Sequence, residues 1–339
     1  MRVFLALLAF AILIGGILMS AFVSAAWFSI PEAGAPVSII VGEEETADAV
    51  ADALQSSGLL KTRLGYDMFA SLYPPARRPK AGSYSFRKGT PYKTIADVIA
   101  LGPKREEVSI QIIEGKTIND EAEQLKAYGV DPSLVYALTG RTRPSLPFDA
   151  ALAEDFDFLK DIPSGQSLEG YLFPDTYRVW KDQLPEGLIR KQLRAFVEKA
   201  LIPLDADRKA SGMSWHEIIT LASIVEAEVQ HSEDRQIVAG IFLKRMKNGM
   251  RLQSDATLNY ILQSGRSRAT ADDLATDSPY NTYRRDGLPP GPINQPSLSS
   301  IRAVLSPLMT DYYFFLTGKD GAVHYARTFE EHIANKTNL

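Results

Sequence analysis

The chain opens on its longest apolar run. No charged residue occurs from Val3 to Ile30, a stretch of 28 positions, against the ~20 residues a helix needs to cross a bilayer. This predicts an uncleaved transmembrane anchor over residues 1–30. A signal peptide is the rival, because Val23-Ser24-Ala25 reads as a small-residue cleavage site. Its apolar core would exceed the usual ~7 to 15 residues. Arg2 and the amino terminus carry the positive charge on one flank and Glu32 opens the other, so the N-terminus is expected in the cytoplasm and the body outside.

Beyond the Pro/Gly linker 31–36 the pattern shortens. Val37, Ile39 and Val41 alternate as in a half-buried strand, Gly42 ends it, and Thr46 leads a helix to Leu54. A partial copy follows in strand 82–86 and helix 94–100. A third copy runs from Val108 through Ile112, Gly115 and Thr117 to a helix ending near Tyr128. Three such passes predict small βα units rather than a solenoid. Residues 140–166 mix short helical pieces with turns. An amphipathic helix is expected over 185–201, another from Ser232 as N-cap to Lys247, and a stiff loop at Pro289-Pro290-Gly291-Pro292. Strands 312–316 and 322–325, joined by a turn at 318–321, precede a helix containing His332.

The most informative stretch is Trp215 to Gln230, which contains neither Gly nor Pro. Ile218, Ile219, Ala222 and Val225 recur at helical spacing, predicting a helix with one buried face. Glu226 shares a side of it with Ala222, Ser223 and Val229. Desolvation among such neighbours is expected to raise its pKa, so that it holds a transferable proton near neutrality. A surface Glu, or one neutralised by a structural Arg, is the plainer alternative. Glu228 projects elsewhere on the helix. A second signature, Leu168 to Tyr177, packs two acids, three aromatics, a Gly and a Pro into ten residues. It is expected to form a binding surface rather than a regular element.

With 339 residues, 45% of them hydrophobic, the chain can bury a sizeable core, and a net charge of -4 argues against nucleic acid as a partner. The absence of cysteine excludes disulfides and thiol chemistry. His216-Glu217-Ile218-Ile219-Thr220 starts like a zincin helix but has Thr where the second ligand must sit, so neither a metal nor any other cofactor is expected.

Together with Gln253-Ser254-Asp255-Ala256-Thr257, Tyr280-Asn281-Thr282-Tyr283 and the block from Gly287 to Ile293, the two signatures resemble the YceG-like family, the MltG-type endolytic murein transglycosylases. The resemblance covers roughly Val37 to His332. Ile333 stands where the family usually has Asn. It implies an α+β fold: the anchor, a LysM-like module over 31–105, and a catalytic domain over 106–339, with a connecting βα segment (106–165) and a core (166–339). LysM modules bind N-acetylglucosamine-containing strands; a spacer without affinity is the alternative. The implied activity is endolytic cleavage of peptidoglycan strands between N-acetylmuramic acid and N-acetylglucosamine, leaving 1,6-anhydro ends, with Glu226 as acid and then base. Glu169, Gln253 and Asn281 are expected to hold sugar hydroxyl and acetamido groups, beside Asp255. Tyr171, Tyr177 and Tyr283 are expected to stack on sugar faces. The implied setting is the inner membrane, with peptidoglycan strands as substrate and the synthesis machinery as a partner. The rivals are a hydrolytic muramidase using Glu169 or Asp255 to activate water, and a non-catalytic scaffold that binds the wall.

Overall fold

The computed structural model describes residues 2–42, 45–103, 106–229, 231–263, 270–318 and 321–337. The chain is mixed α+β and divides into two compact units, Met1–Arg105 and Glu106–Leu339.

In the first unit, α1 (Arg2–Val23) runs into a wider π turn over Ser24–Phe28. Leu8–Phe28 is long and apolar enough to cross a membrane. The end of this segment belongs to the unit's own core. Ala25 and Ala26 are buried, and Trp27 meets Phe69 edge-on with ring centroids 5.4 Å apart. Strand β1 (Val37–Val41) pairs antiparallel with β2 (Gly82–Phe86). Between them lie α2 (Ala47–Ser56) and α3 (Arg63–Leu72), and α4 (Tyr92–Leu101) follows β2. Alternation puts Ile39, Val41, Tyr84 and Phe86 on the inner face against Leu54, Phe69 and Ile95. Thr46 and Thr62 accept from Ala49 N and Gly65 N, which fixes where α2 and α3 begin.

The second unit starts with β3 (Glu107–Gln111), which pairs antiparallel with β4 (Thr176–Trp180), Ile110 opposite Tyr177. The three βα passes are therefore not one array, because the first two strands pair with each other and the third finds its partner 65 positions away, at Thr176 opposite Gln111. That partner starts inside the second signature, whose end is a regular strand. Its inward residues, Tyr177 and Val179, are buried. Next after β3 come α5 (Ile118–Leu125), α6 (Pro132–Thr139) and α7 (Leu152–Asp155).

After β4, helix α8 (Glu186–Phe196) passes through a π turn, Val197–Leu201, into α9 (Ile202–Ser211). The helix expected to stop at Leu201 thus continues across Pro203. The wide turn just before the proline carries the break that its missing N–H imposes on the ladder. Helix α10 (Trp215–Glu228) is the centre of the unit. All eight side chains from Ile218 to Val225 are buried, so it is surrounded rather than buried on one face as expected. Around it stand α11 (Ser232–Lys247), α12 (Asp255–Leu262) and α14 (Leu298–Leu305), with α13 (Ala271–Ala275) beside α12. His231 rather than Ser232 occupies the N-cap of α11. The hairpin β5 (Phe314–Thr317) and β6 (Val323–Ala326) and helix α15 (Phe329–Thr337) complete the chain. Gln230 and the turn residues Lys319 and Asp320 lie outside the described residues.

Candidate functional site

Helix α10 is fixed at its start by a capping box: Ser214 Oγ accepts from Glu217 N at 3.2 Å, and Glu217 Oε2 accepts from Ser214 N at 2.8 Å. At its far end Val229 turns extended, with φ -139°. The carboxylates 226 and 228 therefore sit on the last turn, where backbone carbonyls rather than amides are exposed and give a carboxylate no support. Donors must come from elsewhere in the chain.

They come mainly from residues 293–300, a run that ties together most of the unit. Ile293 N donates to Ser223 Oγ at 3.0 Å, and Asn294 Nδ2 to Ser223 O at 2.8 Å. Gln295 forms a two-way backbone bridge with the β3–α5 loop: Gly115 N donates to Gln295 O, and Gln295 N to Lys116 O, both at 2.8 Å. Ser297 caps α14 by accepting from Ser300 N. These polar residues are buried, and between them they bond to α10, α11 and the β3–α5 loop. Desolvation without a partner would cost about 1–3 kcal/mol for each group, so the matching of partners strongly restricts where this run can lie.

Glu226 is where the run meets α10. Its Oε1 accepts from Arg235 Nη2 at 2.9 Å. Its Oε2 accepts from Ser297 N at 3.0 Å, Ser297 Oγ at 2.5 Å and Ser300 Oγ at 2.7 Å. The side chains of Glu226 and Arg235 are 7% and 10% exposed, a nearly buried ion pair. Arg235 is held in turn by a 3.0 Å bond from Nη1 to Ser297 Oγ. The environment expected from sequence was apolar; the one found is a ring of donors around a carboxylate. Ala222, Ser223 and Val229 are indeed buried beside it, but the next helix and α14 reach over them.

Glu228 has a separate neighbourhood. Ser254 Oγ donates to its Oε1 at 2.5 Å, and burial pushes its carboxyl above the usual range. Asp255 accepts from Tyr283 Oη at 2.7 Å nearby. Gln253 is exposed and adopts φ +52°, a left-handed backbone that brings its amide to Thr282 O. These five residues, with Thr282, form one cluster at the end of α10.

Four of the expected contact residues are internal. Glu169 is only 4% exposed and does not face solvent. It accepts from Ile118 N at 3.1 Å, Tyr260 Oη at 3.1 Å and Gln295 Nε2 at 2.8 Å. It holds the start of α5 to α12 and to the 293–300 run, and its link to Glu226 goes through that run. Burial outweighs these donors and raises its carboxyl to about 8. Asn281 is fully buried: its Nδ2 donates to Leu274 O and Thr276 O, and its Oδ1 accepts from Tyr283 N as in an Asx turn. With no surface exposed, it offers nothing to a ligand. Tyr171 lies in the core against Phe158 and Phe196, with its hydroxyl 2.8 Å from His216 Nδ1. Since His216 Nε2 faces Pro290 O at 2.7 Å and a carbonyl only accepts, a neutral imidazole donates from Nε2 and accepts the hydrogen bond of the Tyr171 hydroxyl at Nδ1. This pins the Pro/Gly loop to α10. Tyr177 is equally internal, its hydroxyl donating to Phe173 O. Gly170, at φ +88°, explains the close fit of this signature: a Cβ there would lie 2.5 Å from Pro292 and 2.8 Å from Ile219.

Four residues of the Glu226 surroundings escape a reading of local pattern: Arg235, Ser297, Ser300 and Glu114. Arg235 looks like an ordinary helix cation, and the serines like an ordinary helix start. Glu114 follows β3 directly, and its neighbour Gly115 has φ +73° with Glu226 Cγ 3.7 Å from where a Cβ would be. Burial first, and then the Glu226 charge, raise the Glu114 carboxyl, against the opposing effect of Arg235. The adjacent Glu-Gly pair between a strand and a Thr-capped helix was the available signal.

A mixed α+β unit around a buried helix that ends in a serine- and arginine-bound carboxylate defines the class. The sequence profile of the YceG-like family matches residues 39–338, and the chain belongs to that family. An endolytic murein transglycosylase of Bacillus subtilis is 31% identical over 87% of this chain and 82% of its own length. One from Streptococcus pneumoniae is 30% identical over 88% of this chain, which spans 57% of that relative's length. A crystal structure of a YceG-like protein from Listeria monocytogenes shares 27% identity with a TM-score of 0.58, covering 90% of this chain and all of that one.

Proposed function

We propose that this chain is an endolytic lytic transglycosylase of peptidoglycan, cleaving between N-acetylmuramic acid and N-acetylglucosamine and leaving 1,6-anhydro ends. The observation that carries the reading is Glu226, a single carboxylate set by Arg235, Ser297 and Ser300 at the end of the buried helix. Its relatives' names point the same way. The bond breaks through an oxocarbenium-like centre that a fixed carboxylate stabilises, and the leaving oxygen needs a proton. The sugar's own 6-hydroxyl then closes on C1, so no nucleophilic carboxylate and no metal or cofactor is called for.

Gln253, Asp255 and Tyr283, which remain exposed or half-buried near Glu228, are the residues we assign to the substrate side. Glu169, Asn281 and Tyr171 support the site from within. Mass spectrometry of glycan strands after incubation with the protein tests the reading: anhydro ends are expected. Reducing ends would indicate a muramidase, and unbroken strands with retained binding would indicate a scaffold.

The β–α–α–β order of 37–86 supports a LysM-like, glycan-binding role for the first unit. We also place the chain in the inner membrane through α1, with its body outside. The burial of Ala25 and the edge-on packing of Phe22 against Trp27 support retention of the segment, since cleavage before Ala26 would strip both from the unit's core. Full-length protein should fractionate with membranes, with both units open to protease from outside. A mature N-terminus at Ala26 would overturn this placement.

A further inference from the structure

Three large apolar side chains of α3 face solvent. Leu64, Met68 and Leu72 recur every fourth residue along one ridge of the helix and are 73%, 48% and 69% exposed. Arg63 and Asp67 take a neighbouring ridge turned to α2, where Arg63 pairs with Asp48 and Asp52. The buried side of α3 is tied to the membrane segment: Phe69 meets Trp27, and Trp27 meets Phe22 with ring centroids 6.0 Å apart. From Phe22 to Phe28, the end of the apolar segment, a helix rises about 9 Å. A helix packed on Trp27 therefore stands where the bilayer core gives way to headgroups. The chain leaving the segment is held as well. Glu32 N donates to Lys88 O at 2.7 Å, and a Cβ on Gly89 would lie 2.8 Å from Ile30 O, so the Arg87–Lys88 turn sits beside the exit. Between Asp67 and Asp97 the sequence holds six Lys or Arg and no acid. Arg78, Arg87 and Lys88 are among them and are exposed.

We propose that the Leu64–Met68–Leu72 ridge, with Arg78, Arg87 and Lys88, docks on the anionic lipid surface of the bilayer that holds α1. The inference rests on the membrane placement above. The three apolar side chains enter the boundary between headgroups and acyl chains, where an amphipathic helix lies flat. The cations meet lipid phosphates, which attract basic segments close to a membrane. A ten-residue helix with one apolar ridge would hold a membrane weakly by itself. Here α1 keeps it within reach, so docking is an intramolecular step and needs little affinity of its own. A second copy of the unit is the less favoured occupant, because it would bring the same excess of positive charge to the face it covers. The first unit then rests on the bilayer instead of swinging from Phe28.

The chain has no cysteine, so a single one can carry a nitrobenzoxadiazole dye in the full-length protein. Leu64→Cys, Met68→Cys and Leu72→Cys report the ridge, Ser56→Cys the α2 face that carries Asp48 and Asp52, and Ile14→Cys the membrane segment. Each protein is placed in vesicles of phosphatidylcholine and phosphatidylglycerol that contain a doxyl-lipid quencher, either shallow or deep. The shallow quencher should dim the three ridge labels at least ~3-fold more than the Ser56→Cys label. That excess should fall at least ~2-fold in pure phosphatidylcholine, at high salt, or when Arg78→Gln, Arg87→Gln and Lys88→Gln are combined. Because the labelled positions of α3 are exposed, their thermal transitions should match that of the unsubstituted protein. Ridge labels quenched no more than Ser56→Cys, while the deep quencher still reaches Ile14→Cys, would overturn the docking surface and leave the anchor standing. Ridge labels that shift to the blue yet escape the quencher would overturn it too, since protein and not lipid would then cover them. An Ile14→Cys label beyond reach of the deep quencher would overturn the membrane placement, and the surface with it.

Discussion

Glu226→Gln is expected to reduce cleavage of glycan strands by at least ~10²-fold. The substitution keeps the shape of the side chain and removes the carboxylate that Arg235, Ser297 and Ser300 hold at the end of α10. It also leaves the Arg235 guanidinium, with 10% of its side chain exposed, without its carboxylate. Breaking one side of a buried pair costs roughly 3–5 kcal/mol, so the thermal transition should fall as well. Activity is therefore to be read at a temperature where circular dichroism shows the variant folded. Glu228→Gln is the internal comparison: a glutamine can still accept from Ser254, and the Arg235 pair is untouched. A loss of less than tenfold in Glu226→Gln, or a dead Glu228→Gln beside an active Glu226→Gln, would move the centre of the reaction to the other carboxylate.

The second large effect is on folding. Glu169→Ala strips partners from Ile118 N, Tyr260 Oη and Gln295 Nε2, and each buried donor left unpaired costs about 1–3 kcal/mol. Loss of folded protein should dominate, whereas a partly solvated substrate contact would have affected turnover first. The pH dependence gives a separate check. The folded-state value is raised, to about 8 from 4.5, so the folded protein binds the proton more tightly than the unfolded chain. The stability this confers is fully present below about 4.5 and is lost as pH rises to about 8. Glu121, raised to about 7 by burial, acts in the same direction. Urea denaturation should show a midpoint that falls from pH 5 to pH 8, with a smaller fall in Glu169→Gln. Equal falls in the two proteins would mean that Glu169 is ionised in the fold throughout.

Elements set by nearest neighbours could be read from the chain. Alternation in Val37, Ile39 and Val41 marks β1, and Thr46 and Thr117 mark the caps of α2 and α5, because each choice is decided within a few residues. Partnership could not be read in this way. Nothing near Val108 says that its strand will pair with residues 176–180 rather than with a neighbouring repeat. The same limit divides the site. Glu226 stands out because a carboxylate in an apolar run is locally costly. Ser297, Ser300, Arg235 and Glu114 are chemically ordinary until the fold collects them. Glu169 and Asn281 illustrate the converse, since polar residues amid aromatics and prolines fit a binding surface and a hydrogen-bonded interior equally well, and only burial separates the two.

The donors to Glu226 at Ser297 and Ser300 lie 71 and 74 positions further along the chain. A polypeptide made from its N-terminus reaches them only after α10 to α13 have been synthesised, while domains fold as units once complete. Until then α10 carries a carboxylate with no place to be buried, and the loop at Gly115 lacks the strand-like partner that aligns it. The early unit can mature on its own schedule, but the later one has a built-in delay. A nascent or truncated chain would hold every residue of the central helix and still be chemically silent, so activity becomes a property acquired in a single late step rather than one that grows as the protein emerges.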